Sequence, residues 1–518
     1  MKRVRIVFVV FISMLITGSC TKLHEKVGGN LTTGQISNTA AAELLRGVYG
    51  SLEWTFTSYL EIFALSDITT DEAIIPTRGN NWDDNGIWRQ LHQHKWDPNN
   101  SQVHDCFKSL GGVVYAATDM LQYNSAVQQA AEARFLRAFA MYWLLDLYNQ
   151  VPYRKPGESV INPSEVRKGV DALNYIISEI NAVQADLPDG PPSKANKFAA
   201  KLLLMKCYLN KAVYINRANP SFDAGDMNKV ISLGDEIINS NKYSFSSNYF
   251  DNFSPINSSI GKEDIFTQAS NADGNYQLAF AWQATLYYAQ RGFNGFTTLS
   301  DFYDKFESTD KRRETVYSYP NSPPNPGQRV NVGFLIGQQY DLFTDAPFYE
   351  GPLPVIFTPD VKNILPGPNL NMPGIRPIKY APDYLNYFVF GGGPPTNDFV
   401  YFRFPDVLLM KAEAILRGGT PTNAGPYGNA ALSIVNAIRT NSSRNATALS
   451  SINLDVILDE RGRELWWENW RRQDLIRFGK FLLPFQEKDY QSDPKYLVFP
   501  IPYEQLAVNP NLQQNPGY

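Results

Sequence analysis

Apolar residues recur at three- and four-residue intervals through long parts of the chain. In AAEARFLRAFAMYWLLDLYN, residues 130–149, this spacing puts Phe135, Phe139 and Tyr142 on one face of a helix. Pro152 and Pro156 end it. Asn162-Pro163-Ser164 reads as the opening of a second helix, with Val170, Leu173, Ile177 and Ile180 along one face and an end near Leu187-Pro188. A third helix is expected over 197–213, burying Leu202, Met205 and Leu209, and a partner over 226–238. Small residues such as Ala133, Ala138 and Ala199 suit close helix contacts, so the pattern predicts consecutive antiparallel pairs. Between about 244 and 400 the helical period fades and Pro and Gly crowd in, as in SPPNPGQ, EGPLP, ILPGPNLNMPG and FGGGPP. Helices are expected there only at 277–288 and 300–306. An irregular stretch of this length points to function rather than to a linker. The helical period returns at 398–416, 426–440 and 454–478, and an extended, proline-bounded tail follows from Pro500.

The pairs resemble tetratricopeptide hairpins with an irregular period. The predicted class is mainly α: helical hairpins (20–243) packed against an irregular lobe (244–400), then a further helical part and tail (401–518), all in one domain. The first nineteen residues stand apart. Lys2, Arg3 and Arg5 precede an apolar run of eleven residues, 6–16, and Gly18 and Ser19 lead into Cys20. That run is too short for a permanent membrane span and suits a secretory signal. It resembles a bacterial lipoprotein signal cut just before a lipidated Cys20, with Thr17 where leucine is usual. The alternative is an ordinary signal cut nearby. Beyond Cys20 only Cys106 and Cys207 remain, which leaves no disulfide framework or cysteine metal site, and Cys207 sits in an apolar helical run as a small hydrophobe.

Composition narrows the function classes. Lys plus Arg is 47 against 51 Asp plus Glu, and this balance gives nucleic-acid binding no support. Only 19% of residues are charged while 13% are aromatic, a chain light on charge and heavy on flat rings. No P-loop, nucleophile elbow or dinucleotide fingerprint is present, and no cofactor is expected. Asp83 and Asp84 are adjacent, whereas a glycosidase needs two carboxyls set across the bond it cleaves. His92, His94 and His104 lack a defined third and fourth metal ligand.

Four blocks carry a resemblance. They are AEARFLRAFAMYWLLDLYNQVPY at 131–153, YFRFPDVLLMKAEAILR at 401–417, LDERGRELWWENWRRQDLIRFGKF at 458–481, and the terminal IPYEQLAVNPNLQQNPGY at 501–518. In this order, behind a lipoprotein-like signal, they resemble the SusD/RagB family of outer-membrane lipoproteins of Bacteroidetes. The resemblance implies a mostly helical fold with tetratricopeptide-like hairpins, no catalysis, and capture of nutrients, usually glycans, for a SusC-like TonB-dependent transporter. The expected partners are therefore that transporter, an oligosaccharide and the outer membrane through a lipid anchor, with the exterior face implied by the family. A peptide ligand and a surface glycan hydrolase or lyase are the alternatives. Acidic residues often follow the lipidated cysteine in surface-displayed relatives, and here CTKLHEK carries two lysines and one Glu.

The charge-rich blocks read as scaffold: Glu132 with Arg134 and Arg137, and Glu460, Arg461, Arg463 and Glu464 with Arg471, Arg472 and Asp474, stand at spacings that allow helical ion pairs. The binding candidates lie elsewhere. A sugar offers an apolar C–H face ringed by hydroxyls, so a neutral glycan calls for an aromatic platform beside several hydrogen-bonding side chains. The segment 71–100 has Trp82, Trp88 and Trp96 among Arg, Asn and Asp. In the family a tryptophan from this region helps form an aromatic arc around the glycan. The resemblance therefore implies Trp82 as ligand contact, with Arg78, Asn81 and Asp83 as polar partners; Trp88 and Trp96 read as core or hairpin-packing residues, as most large aromatics are. A second cluster at 284–306 matches the position of the family's other binding aromatics. Gly292 and Gly295 would allow a tight exposed loop presenting Phe293 or Phe296. Tyr288, Arg291 and Phe296 are the candidates there.

Overall fold

The computed structural model describes residues 38–518 apart from 124, 271–283, 291, 323–327, 342–343 and 389–394. The signal segment and Cys20 lie outside the described residues. Six long helices come first: α1 (Asn38–Thr57), α2 (Ser101–Met120), α3 (Val127–Tyr148), α4 (Gly169–Val183), α5 (Lys197–Ile215) and α6 (Ala224–Asn239). Each packs against the next, so the array grows by antiparallel neighbours. Local chemistry sets their starts. Asn100 accepts from the backbone N–H groups of Gln102 and Val103, Asn196 from Phe198 and Ala199, and Asp223 from Asp226. Helix α3 is buried on nearly every side from Ala131 to Tyr148, with its alanines leaving room for α2 and α4.

After a 164-residue excursion the chain returns with α7 (Phe404–Leu416), which packs on α6 and α5 and carries α8 (Ala431–Arg439) and α9 (Leu454–Leu465). A fully buried strand, Asp264–Gln268, pairs antiparallel with Phe399–Arg403 and ties the excursion to the scaffold. Helices account for 44% of the described residues and strands for 11%, so the mainly α expectation holds. Among the described residues no helix is long and apolar enough to cross a membrane.

Element boundaries differ from expectation where tertiary pairing wins. The second predicted helix starts at Gly169, because Glu165–Lys168 is extended and pairs with Gln150–Tyr153. The predicted helix at 398–416 is helical only from Phe404. Its first residues, Phe-Val-Tyr-Phe-Arg, are the strand paired with Asp264–Gln268, and Pro405 then sits in the first turn of α7. The helix at 454–478 is two: α9 and α10 (Arg471–Arg477), parted at Trp467 and Asn469, whose φ angles are 57° and 69°. The helix at 300–306 shortens to Ser300–Tyr303. Most of the one at 277–288 falls outside the described residues, and its end forms a 3₁₀ turn, Tyr288–Gln290.

One hydrophobic core runs from Ala41 to Leu512. Much of the aromatic excess sits in it, as where Phe56 stacks on Phe139 at 5.2 Å and meets Tyr401 edge-on at 5.0 Å. Trp88 and Trp96 are buried, as expected, and Trp96 donates to the Tyr518 hydroxyl at 2.9 Å, which pins the terminal segment. The charged blocks do lock the scaffold, largely through contacts distant in sequence. Glu464 accepts from Arg403 at 2.7 Å, Arg444 at 2.6 Å and Arg312 at 3.0 Å, all fully enclosed.

Candidate functional site

Two loops meet beside the Ile62–Ser66 helix. The first, 76–86, turns at Gly79-Asn80, where the N–H and C=O groups of Arg78 and Asn81 bond reciprocally at 2.9 and 3.1 Å. From there the backbone enters the left-handed region repeatedly: Trp82 at φ 59°, Asp84 at 40°, Asn85 at 54° and Gly86 at 78°. For asparagine, aspartate and glycine this is ordinary. For tryptophan it costs about 1–2 kcal/mol and persists only where surrounding contacts impose it. Those contacts are present. The Trp82 indole N–H donates to the Phe293 carbonyl at 2.9 Å, and the ring lies edge-on to Tyr59 at 6.0 Å and Phe296 at 5.6 Å.

The second loop, 284–298, folds back on itself, with Gly295 and Phe296 N–H both reaching the Ala284 carbonyl and Asn294 N–H reaching that of Leu286. Its glycines are required by close approach. A Cβ at Gly292 would stand 1.9 Å from the Leu286 carbonyl oxygen, and one at Gly295 would stand 2.4 Å from the Trp82 indole. The loop leaves Tyr288 42% exposed and Phe293 39% exposed. Asn81 Nδ2 donates to the Tyr288 hydroxyl at 3.2 Å and joins the loops at the surface. Asp83 accepts from Arg89 at 2.6 Å and keeps its carboxylate partly in solvent. Trp88 donates its indole N–H to Asp84 at 2.6 Å.

The structure therefore brings Asn81, half-buried Trp82, Asp83 and Tyr288 to one surface and adds Phe293. Two expected contacts lie elsewhere. Phe296 is only 1% exposed and packs beneath Trp82 against Tyr59, Phe63 and Trp467, because its backbone is drawn inward by the Ala284 bond. Arg78 is 2% exposed, and its guanidinium donates to the carbonyls of Leu370 at 2.5 Å and Pro373 at 2.9 Å. It is a strut between loops. Burial pulls its pKa down to about 9, which leaves it charged at neutral pH. Arg291 lies outside the described residues.

A second strut was invisible in the sequence. Buried Arg376 donates to Asn294 Oδ1 at 2.9 Å and to the Asn371 carbonyl at 3.0 Å, so it braces the second loop against 371–374. The only sequence signal for it was an arginine in an otherwise apolar run, IRPIKY. His92 and His94 are buried and bonded to carbonyls of Ile68 and Thr69, and His104 pairs with Glu504 at 3.0 Å. Among the described residues no cluster of histidine, cysteine or acidic side chains could hold a metal ion.

The fold is shared with solved structures of the SusD superfamily. A SusD superfamily protein from Parabacteroides distasonis superposes with a TM-score of 0.70 at 18% identity, over 93% of this chain and 100% of that one. Surface glycan-binding protein A from Bacteroides thetaiotaomicron, solved with laminarihexaose, gives 0.67 at 17% identity over 93% and 100%. In sequence, the starch-binding protein SusD of B. thetaiotaomicron is 24% identical over 513 aligned residues, 89% of this chain and 86% of that one. A SusD-like protein of Formosa agariphila is 26% identical over 464, covering 80% of each. The SusD family model matches residues 235–518, and the chain belongs to that family.

Proposed function

We propose that this protein is a non-enzymatic, lipid-anchored surface protein that holds an oligosaccharide and passes it to a SusC-like TonB-dependent transporter in the outer membrane. The observation that carries the binding reading is Trp82. Its backbone is held in a conformation costly for tryptophan, its indole N–H is already bonded to Phe293, and the ring edges onto a surface shared with Tyr288 and Phe293. With its polar atom satisfied by the protein, the half-buried ring has only apolar surface to offer a sugar. Asn81 and the part-exposed Asp83 carboxylate supply hydrogen bonds at the rim.

Relatives supply the ligand class, since one is a starch-binding protein and another was solved with laminarihexaose. The lipid anchor on Cys20, the exterior placement, residues 20–518 as one domain, and the transporter partnership rest on the signal and the family. A hydrolase reading has little support, because Asp83 is committed to Arg89 and Asp84 to the Trp88 indole. Affinity electrophoresis of the wild type and Trp82→Ala in gels containing starch, laminarin or xyloglucan tests the reading. Retardation of the wild type by one glycan, lost in the variant, is expected. No retardation by any glycan, or release of reducing sugar, would overturn it.

A further inference from the structure

Beside the Tyr288–Gln290 turn, with Gln290 in its wall, runs a groove lined by amide side chains. Its cavity volume is about 360 Å³, within the roughly 300–1,000 Å³ of ligand sites. Gln290, Gln338 and Gln339 line it together with Arg329, Tyr340 and Ile336. We infer that this groove is a second carbohydrate subsite, continuous with the aromatic surface, and that the protein reads a neutral oligosaccharide too long to sit on that surface alone. The inference rests on the glycan-binding reading above and extends it.

The amides are set in advance. Gln338 Nε2 donates to the carbonyls of Gln339 at 2.8 Å and Phe348 at 3.1 Å, and Gln339 Nε2 donates to that of Gly337 at 3.0 Å. Among the described residues nothing donates to the side-chain oxygens of Gln338 and Gln339. Each is thus an oriented acceptor for a hydroxyl, with its ordering cost already met by the protein. Arg329 lies over the Tyr340 ring at 3.9 Å and bonds Asp345 at 2.8 Å, which sets guanidinium donors beside a carboxylate acceptor. Neighbouring sugar hydroxyls match that pairing, since each gives one hydrogen bond and takes another.

Ile336, 38% exposed, supplies an apolar patch for a C–H face. The charges are paired, Arg329 with Asp345 and Glu314 with Arg313, so a neutral ligand fits better than an ionic one. The frame is rigid, because Val332–Leu335 pairs with Arg376–Ile378 and Gly337–Gln338 with Ile356–Phe357. The two surfaces share a wall. Gln290 accepts from Tyr287 N–H and donates to the Tyr340 carbonyl at 3.4 Å, and Tyr287 packs on Phe348, whose carbonyl holds Gln338.

The test is titration calorimetry on the full chain with malto-, laminari- and xyloglucan oligosaccharides of increasing length, for wild type, Trp82→Ala, Arg329→Ala and Arg329→Ala/Gln338→Ala. Thermal melts confirm that each variant is folded. For whichever ladder binds, affinity should climb beyond the shortest oligomer that binds. The double variant should lose about tenfold for the long members, near 1.4 kcal/mol, and keep the affinity of the shortest. Length dependence unchanged in the double variant, with Trp82→Ala still abolishing binding, overturns the groove and leaves the aromatic site standing. Loss in the groove variants with Trp82→Ala silent overturns the aromatic site and supports the groove. A wild type that binds no member of any ladder overturns both.

Discussion

Gly295 is where one methyl group interrogates the whole aromatic surface. An alanine there places its Cβ 2.4 Å from two carbons of the Trp82 indole, whereas carbon atoms rest at about 3.5–4.0 Å, so the ring must retreat by more than 1 Å. Retreat breaks the 2.9 Å bond to the Phe293 carbonyl, about 1 kcal/mol, and the edge contacts with Tyr59 and Phe296, about 0.5–1.5 kcal/mol each. Release of the left-handed Trp82 backbone returns about 1–2 kcal/mol. Gly295→Ala should therefore cost the fold only about 1–2 kcal/mol. An aromatic anchor displaced from a binding surface forfeits about 2 kcal/mol, so glycan affinity should fall about 30-fold. Calorimetry on Gly295→Ala, Trp82→Ala and the double variant separates the two effects. In the Trp82→Ala background the indole clash is gone and the nearest remaining atom is the Ala284 carbonyl oxygen at 2.9 Å, so Gly295→Ala should then cost no further affinity. Wild-type affinity in Gly295→Ala, or binding losses that simply add, would refute the placement of Trp82 on the ligand.

Other outcomes follow from the buried polar architecture. Glu464→Gln leaves Arg403 and Arg444 short of a counter-charge in the core and should lower stability by about 3–5 kcal/mol, read as a lower midpoint in denaturant. Burial pushes the carboxyls of Glu413 and Glu460 up, but Arg477 and Arg417, and Arg312, Arg463 and Arg439, outweigh it and hold both at about 2. Folded values below the unfolded ones mean stability present above about pH 4.5 and lost as pH falls toward 2, so melting temperature should drop across that window and not between pH 5 and 7. Asn515→Ala removes donors to the Tyr148 and Phe499 carbonyls and should cost about 1–3 kcal/mol, with proteolysis beginning in the terminal segment; equal protease resistance would show that the segment's other bonds, Trp96 to Tyr518 and Gln150 to the Gln513 carbonyl among them, hold it without Asn515.

Local pattern carried the helices α3, α5 and α6, because a 3.6-residue period is complete within each segment, with a capping asparagine or aspartate at the start of α5 and α6. It also located both candidate loops, since tryptophan or tyrosine among glycine and asparagine is a short-range signal. What local pattern could not supply was partners. Residues 398–403 read as helix until Asp264–Gln268, some 130 positions earlier, offered them a strand edge. Arg78 read as a ligand contact because nothing nearby in sequence shows that the carbonyls of Leu370 and Pro373 would enclose it. Phe296 and Phe293 are equally apolar and three residues apart, yet Phe296 packs on Tyr59, Phe63 and Trp467 behind backbone bonds to Ala284 while Phe293 stays 39% exposed. The sequence by itself determined the helical class, the family blocks and the two loops. The tertiary structure decided which side chains face outward, because exposure is a property of what packs against a residue, and for these loops packing partners lie as far as 295 residues away.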